Sequence, residues 1–425
     1  MKPKAPTPES PHWVIRCWRA LGPGLIAGAA DDDPSGIATY SIAGAQAGTT
    51  MLWTAILTWP LMSAVQLMCA RIGMVTGRGL IRALEQKFPR PLIVLAGTAL
   101  LLANTINVGA DLAGMADAAA ELSGLKSRGF VIVFGLGIAL ATIGFSYVRI
   151  AGALKWLSLS LFAYIATAFL AHPKWAEVLA GAARPHWPND AASWSVLVAL
   201  FGTTISPYLF FWQASEEVEE GKAKNRGAGV SAGPAMQRRL RERRLDVGVG
   251  TFFSNLVMFF IILSCALTLH QHGITHISSS REAAMALRPI AGKFATALYT
   301  TGIIGVGFLA IPTLTGSAAY ALAEIFNWKE GLDKKFRQAR GFYLVIVVAT
   351  LGGIGIDFAG FNPVKALYWS AVLNGLLAPF LLTGLLLTAS DGKIMRQQPS
   401  SGLSRIVVGA AAAVMFAAGV GMFVF

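Results

Sequence analysis

The chain has 425 residues, of which 55% are hydrophobic and only 13% charged, whereas an average soluble domain carries roughly 25% charged residues. That balance excludes a soluble enzyme, a disordered chain and a DNA-binding module, and it leaves a polytopic membrane protein. The net charge of +13 then reads as basic loops on one side of a membrane, not as a nucleic-acid partner.

A spanning helix needs about 20 mostly apolar residues. After a polar, proline-containing tail over 1–20, eleven such stretches are expected at 21–49, 51–75, 91–119, 128–147, 149–171, 194–220, 246–270, 291–324, 340–357, 362–389 and 403–425. Most of the 35 Lys and Arg residues fall in the tail and in alternate loops, above all in the basic loop 221–245. The positive-inside rule therefore puts the N-terminus in the cytoplasm and, with eleven spans, the C-terminus outside a cell membrane. The basic loop is expected to be solvated, with lipid-headgroup binding as the alternative. The cysteines Cys17, Cys69 and Cys265 form no CxxC pair, so neither a disulfide framework nor a thiolate metal site is expected.

Two spans are interrupted. The first contains Asp31-Asp32-Asp33-Pro34-Ser35-Gly36 and the sixth Thr203-Thr204-Ile205-Ser206-Pro207-Tyr208. Carboxylates within a span are costly, and proline removes a backbone donor. Two proline breaks five spans apart give five plus five helices, the first of each set broken. That is the pattern of an inverted repeat with a site at the midplane. Spans one to five (21–171) form the first repeat, spans six to ten (194–389) the second, and 403–425 adds an eleventh span. A break frees backbone carbonyls inside the membrane, and a cation can satisfy them.

At these residues the sequence resembles the NRAMP superfamily of divalent-metal transporters. That family carries Asp-Pro-Gly-Asn in its first helix and Ala-x-x-Met-Pro-His in its sixth. The order, the spacing and the eleven-helix layout match over most of the chain, as does the third span with Ala103 to Asp111. The resemblance implies an all-α, LeuT-like 5+5 inverted repeat. The departures are informative: the family's ligand Asn is Gly36 here, its ligand Met is Ser206 and its His is Tyr208. This pattern resembles the NRAMP-related magnesium transporters, a branch that moves Mg²⁺ and Mn²⁺.

The residue types point the same way. A thioether suits soft transition metals; without it an all-oxygen site is expected from the Asp33 carboxylate, Thr203, Ser206 and freed carbonyls such as that of Ala30. Mg²⁺ gives up water reluctantly and is held by one or two carboxylates with several waters kept. Gly36 and Ser206 also enlarge the cavity for a partly hydrated ion. Asp32 is a further candidate carboxylate near the ion, and Asp31 is assigned to a pathway. Asn104, Asn107 and Asp111 share one helix face; Asn104 is expected to bond between helices, and Asn107 and Asp111 to line the ion route. In the tenth span Ala371 stands where the superfamily has a ligand Gln, and Asn374 is either a water-mediated substitute or a packing residue. Glu216, with Glu217, Glu219 and Glu220, ends the sixth span and either draws cations to an inner mouth or simply meets water.

No histidine lies mid-span to titrate near neutral pH, and the resemblance to the magnesium branch implies uptake without proton coupling. The alternative is a proton-coupled Mn²⁺/Fe²⁺ importer of the standard type. An amino-acid transporter on the same architecture ranks lower, because three aspartates at the break would repel a substrate carboxylate. No HExxH, GxSxG or P-loop signature suggests an enzyme. No cofactor and no obligate protein partner are expected; membrane lipid and the transported cation are the partners.

Overall fold

Every regular element of the described residues is helical. The computed structural model describes residues 32–145, 159–223 and 233–425. The 1–20 tail, Cys17, Ala30, Asp31 and the start of the fifth span lie outside these residues. The thirteen longer helices are α1 Pro34–Ala47, α2 Leu52–Thr76, α3 Arg90–Ser123, α4 Ser127–Gly144, α5 Phe162–Leu170, α6 Trp175–Ala183, α7 Ala191–Thr204, α8 Pro207–Ala223, α9 Pro234–Thr268, α10 Ala295–Ile325, α11 Arg340–Asp357, α12 Pro363–Ser390 and α13 Gly402–Val424. Nine helical stretches among the described residues are long and apolar enough to cross a membrane, and the first of them holds both α1 and α2.

Both expected breaks mark helix ends. Pro34 opens α1 within its first turn, where a missing N–H costs nothing, and Asp33 caps that end. The sixth span is two helices, α7 and α8, separated at Ile205 and Ser206. Gly48, at φ 60°, closes α1 and allows the turn into α2.

Burial grades from centre to rim. The apolar core of α7 and α8 is wholly enclosed, whereas α4 and α13 leave Val133, Leu140, Ile406 and Phe423 exposed. Apolar side chains outward on long helices are satisfied by lipid, not water. The methionines of the spans (Met62, Met68, Met115 and Met258 among them) pack in the interior, and Cys69 and Cys265 are buried free thiols.

Helix α7 meets α12 at a small-residue contact, as bundles in lipid require for close approach. A Cβ on Gly202 would stand 2.8 Å from Gly375 Cα and press on the Ala371 carbonyl. These are backbone atoms and cannot rotate away. Gly202→Val is therefore expected to cost at least the ~1–3 kcal/mol of overpacking, read as a lowered midpoint in thermal melts of the purified protein.

The basic stretch 221–245 is not a loop throughout. Residues 221–223 end α8, and from Pro234 onward the chain is already α9. Nor is it solvated throughout. Arg243 is buried among carboxylates: Glu217 and Glu220 of α8 and Asp246 of its own helix, the last at 2.6 Å. Gln213 Nε2 donates to Glu217 at 3.2 Å and extends the cluster along α8. Local charge density argued for a loop; the partners that bury Arg243 come from another helix.

Candidate functional site

Asp33 sits at the start of α1 with about four acceptor positions on its carboxylate. Oδ1 accepts from the Gly36 amide at 2.6 Å and from Ser35 Oγ at 2.9 Å; Oδ2 accepts from Asn107 Nδ2 at 3.1 Å. Three donors thus replace the water this buried group gave up, and one position is left for a further contact.

Asn107 of α3 is the centre of the network. Its Nδ2 also donates to Asp111 Oδ2 at 3.2 Å, so one amide group bridges two carboxylates. Its Oδ1 accepts from Asn374 Nδ2 of α12 at 3.2 Å. Ser35 Oγ lies 3.4 Å from the same oxygen, but its single hydrogen serves Asp33, the shorter contact. Asp111 Oδ1 and Asn374 Oδ1 are buried and have no hydrogen-bond partner. Three helices therefore bring acceptor oxygens together with more lone pairs than donors, an imbalance that costs free energy unless a donor or cation enters.

The second break behaves differently. In a continuous helix residue 207 would donate its N–H to the Thr203 carbonyl; proline cannot. Ser206 Oγ takes over, 2.6 Å from the Thr203 carbonyl and 2.7 Å from that of Gly202. Thr203 Oγ1 donates to the Leu200 carbonyl at 3.1 Å. With its single hydrogen Ser206 caps one of these two carbonyls from within, and what the Thr203 and Ser206 hydroxyls retain is their lone pairs. Neither hydroxyl bonds directly to the Asp33 network.

Of the other expected residues, Gly36 supplies its amide to Asp33, and Tyr208 is fully buried in the first turn of α8. Asp32 accepts from Ser254 Oγ of α9 at 3.2 Å and so belongs to a different contact from Asp33. Asn104 bonds between helices as expected, donating to the Leu314 carbonyl of α10 at 2.8 Å. Glu216 is half-buried, while its neighbours Glu217 and Glu220 are taken by Arg243. Ala30 lies outside the described residues. Ser35 and Ser254 went unnoticed in the sequence; Ser35 stood within the first motif, whereas Ser254 carries no local signal.

Buried broken helices around a carboxylate, inside a bundle with an apolar rim, define a multi-pass membrane protein of the broken-helix transporter architecture. The family model described as natural resistance-associated macrophage protein-like matches residues 24–425. The chain belongs to this Nramp family. It is 25% identical over 399 residues to the divalent metal cation transporter MntH of Erwinia tasmaniensis, covering 90% of this chain and 88% of that one. It is 26% identical over 388 residues to the MntH of Mycobacterium tuberculosis, covering 89% and 85%. Among solved structures, the Eremococcus coleocola manganese transporter superposes with a TM-score of 0.72 at 17% identity, covering 98% of this chain and 90% of that one. The nucleobase-cation-symport-1 transporter Mhp1 superposes with a TM-score of 0.61 at 14% identity, covering 95% and 92%. These likenesses carry the fold, which is the LeuT-like all-helical bundle expected from the sequence.

Proposed function

We propose that this protein imports divalent cations, Mg²⁺ and Mn²⁺, by alternating access around Asp33. The observation that carries this is the surplus of buried oxygen acceptors on Asp33, Asp111 and Asn374 around one Asn107 amide. A hard cation with part of its water shell satisfies such a set, its waters donating to the unpaired oxygens. Relatives over most of the chain are named as divalent metal cation transporters, and a structural neighbour is a manganese transporter.

The assigned contacts are Asp33, Gly36, Asn374, the hydroxyls of Thr203 and Ser206, and the Ala30 carbonyl. Asp32, Asn107, Asp111, Tyr208 and Glu216 belong to the route. The repeats 21–171 and 194–389 move against each other, with the N-terminus cytoplasmic. Transport runs down the electrochemical gradient without protons.

The test is uptake into proteoliposomes carrying a luminal Mg²⁺ dye and a luminal pH dye. Mg²⁺ entry without acidification is expected. Mn²⁺ entry with acidification, and none of Mg²⁺, would assign a proton-coupled Mn²⁺/Fe²⁺ importer instead. The oxygen-only site also predicts a specificity change. Ser206→Met adds a soft ligand and removes cavity space, so Cd²⁺ uptake should rise relative to Mg²⁺ uptake; an unchanged ratio would remove Ser206 from the site.

A further inference from the structure

We propose that a groove between α2, α9 and the start of α13 is a binding site for one anionic phospholipid. The groove has a volume of about 600 Å³, within the ~300–1,000 Å³ range of ligand sites. All three helices contribute apolar lining: Trp59 and Leu67 from α2, Leu240 from α9, Leu403 and Val407 from α13. Arg71 and Arg244 line the same groove, and neither is paired with a carboxylate among the described residues. On the same end of the bundle Arg82 pairs with Glu330, Lys87 with Asp391, and Arg243 with three carboxylates.

Arg71 is held by backbone carbonyls. Its Nη2 donates to the Gln398 carbonyl at 3.1 Å, which orients the guanidinium, while its Nε is buried and without a partner. Ser400 is 3% exposed, lines the groove, and its hydroxyl is also without a partner. Beside it Ser401 caps the N-terminus of the 23-residue α13, whose dipole favours an anion at that end. Two unpaired arginines, an orphaned hydroxyl and a helix N-terminus are phosphate-binding chemistry. The apolar lining is what a free phosphate would not need and an acyl chain would.

The groove lies at the end of α2 where the basic residues concentrate, the side assigned to the cytoplasm. That leaflet carries the negative surface potential against which juxtamembrane arginines act. The occupant is therefore a glycerophospholipid with a net negative headgroup, its phosphate on Arg71, Arg244 and Ser400 and one chain along Trp59 and Leu67.

Native mass spectrometry of the full-length protein, delipidated in detergent and titrated with phosphatidylglycerol, phosphatidylcholine or inorganic phosphate, tests this. One phosphatidylglycerol should bind well above the background set by phosphatidylcholine. Arg71→Gln with Arg244→Gln should weaken it by about five-fold for each arginine removed, and Lys334→Gln with Lys335→Gln should not. Because Arg71 also holds backbone carbonyls, Arg244→Gln with Ser400→Ala is the second variant, expected to weaken binding while leaving the melting midpoint unchanged. Equal binding of the two lipids, no loss in either arginine variant, failure of any lipid to bind, or inorganic phosphate displacing the lipid at comparable concentration would each overturn the proposal.

Discussion

Asp33→Asn is expected to leave the protein folded and to remove cation uptake. Asn caps a helix about as well as Asp, so the Gly36 amide keeps its acceptor and α1 keeps its start. The oxygen that accepts from Asn107 Nδ2 becomes an amide nitrogen, so Asn107 keeps a bond to position 33 by turning its own amide over. What disappears is one negative charge next to the unpaired oxygens of Asp111 and Asn374. The affinity of oxygen sites for divalent ions follows the number of ligand charges over several decades, so a loss of about a hundredfold or more in uptake at low cation concentration is expected. Asp33→Ala removes the cap as well and should add about 1 kcal/mol of destabilisation. The pair separates the two roles: uptake measured in proteoliposomes falls in both, while the melting midpoint falls only in the alanine variant. Retained uptake in the asparagine variant would show that the charge is not what holds the ion.

Arg243→Gln is expected to cost about 3–5 kcal/mol of stability, the penalty for breaking a buried ion pair from one side. Glu217 and Asp246 are 1% and 2% exposed and would be left without their cation. Removing the charges together is gentler, because no uncompensated group is left in the interior. Arg243→Met combined with Glu217→Leu, Glu220→Gln and Asp246→Leu should therefore recover most of the lost midpoint. If Arg243→Gln melted with wild type, the cluster would be reached by water and screened, and its contribution would fall to that of a surface pair.

Much of the architecture was legible as hydrophobic runs. The spans at 51–75, 340–357 and 362–389 lie within a residue or so of α2, α11 and α12, since length and hydropathy alone decide where a helix can meet lipid. The breaks were legible because a proline beside polar residues interrupts the backbone ladder of an apolar run. Asn107, Asp111 and Asn374 were legible as polar side chains in apolar helices, and the face shared by Asn104, Asn107 and Asp111 already grouped the first two. The division of that face was not. Asn104 turns to α10 and Asn107 to α1, a choice set by neighbours remote in sequence. The inward capping by Ser206 was hidden for another reason: a hydroxyl beside freed carbonyls serves an ion or its own backbone equally well in a sequence. Arg243 was misplaced because a run of arginines looks solvated until its carboxylate partners on another helix are known.

The 35 residues of α9 form a continuous rod about 52 Å long at 1.5 Å per residue, against a hydrocarbon core of ≈ 30 Å. One end extends past that length with Arg238 and Arg241 exposed. Further along, the same rod holds α8, the second half of the sixth span, through Arg243 and then touches Asp32, beside the first break, through Ser254. It is a mechanical lever with two points of attachment. One continuous helix thus ties the second half of the sixth span to the start of α1.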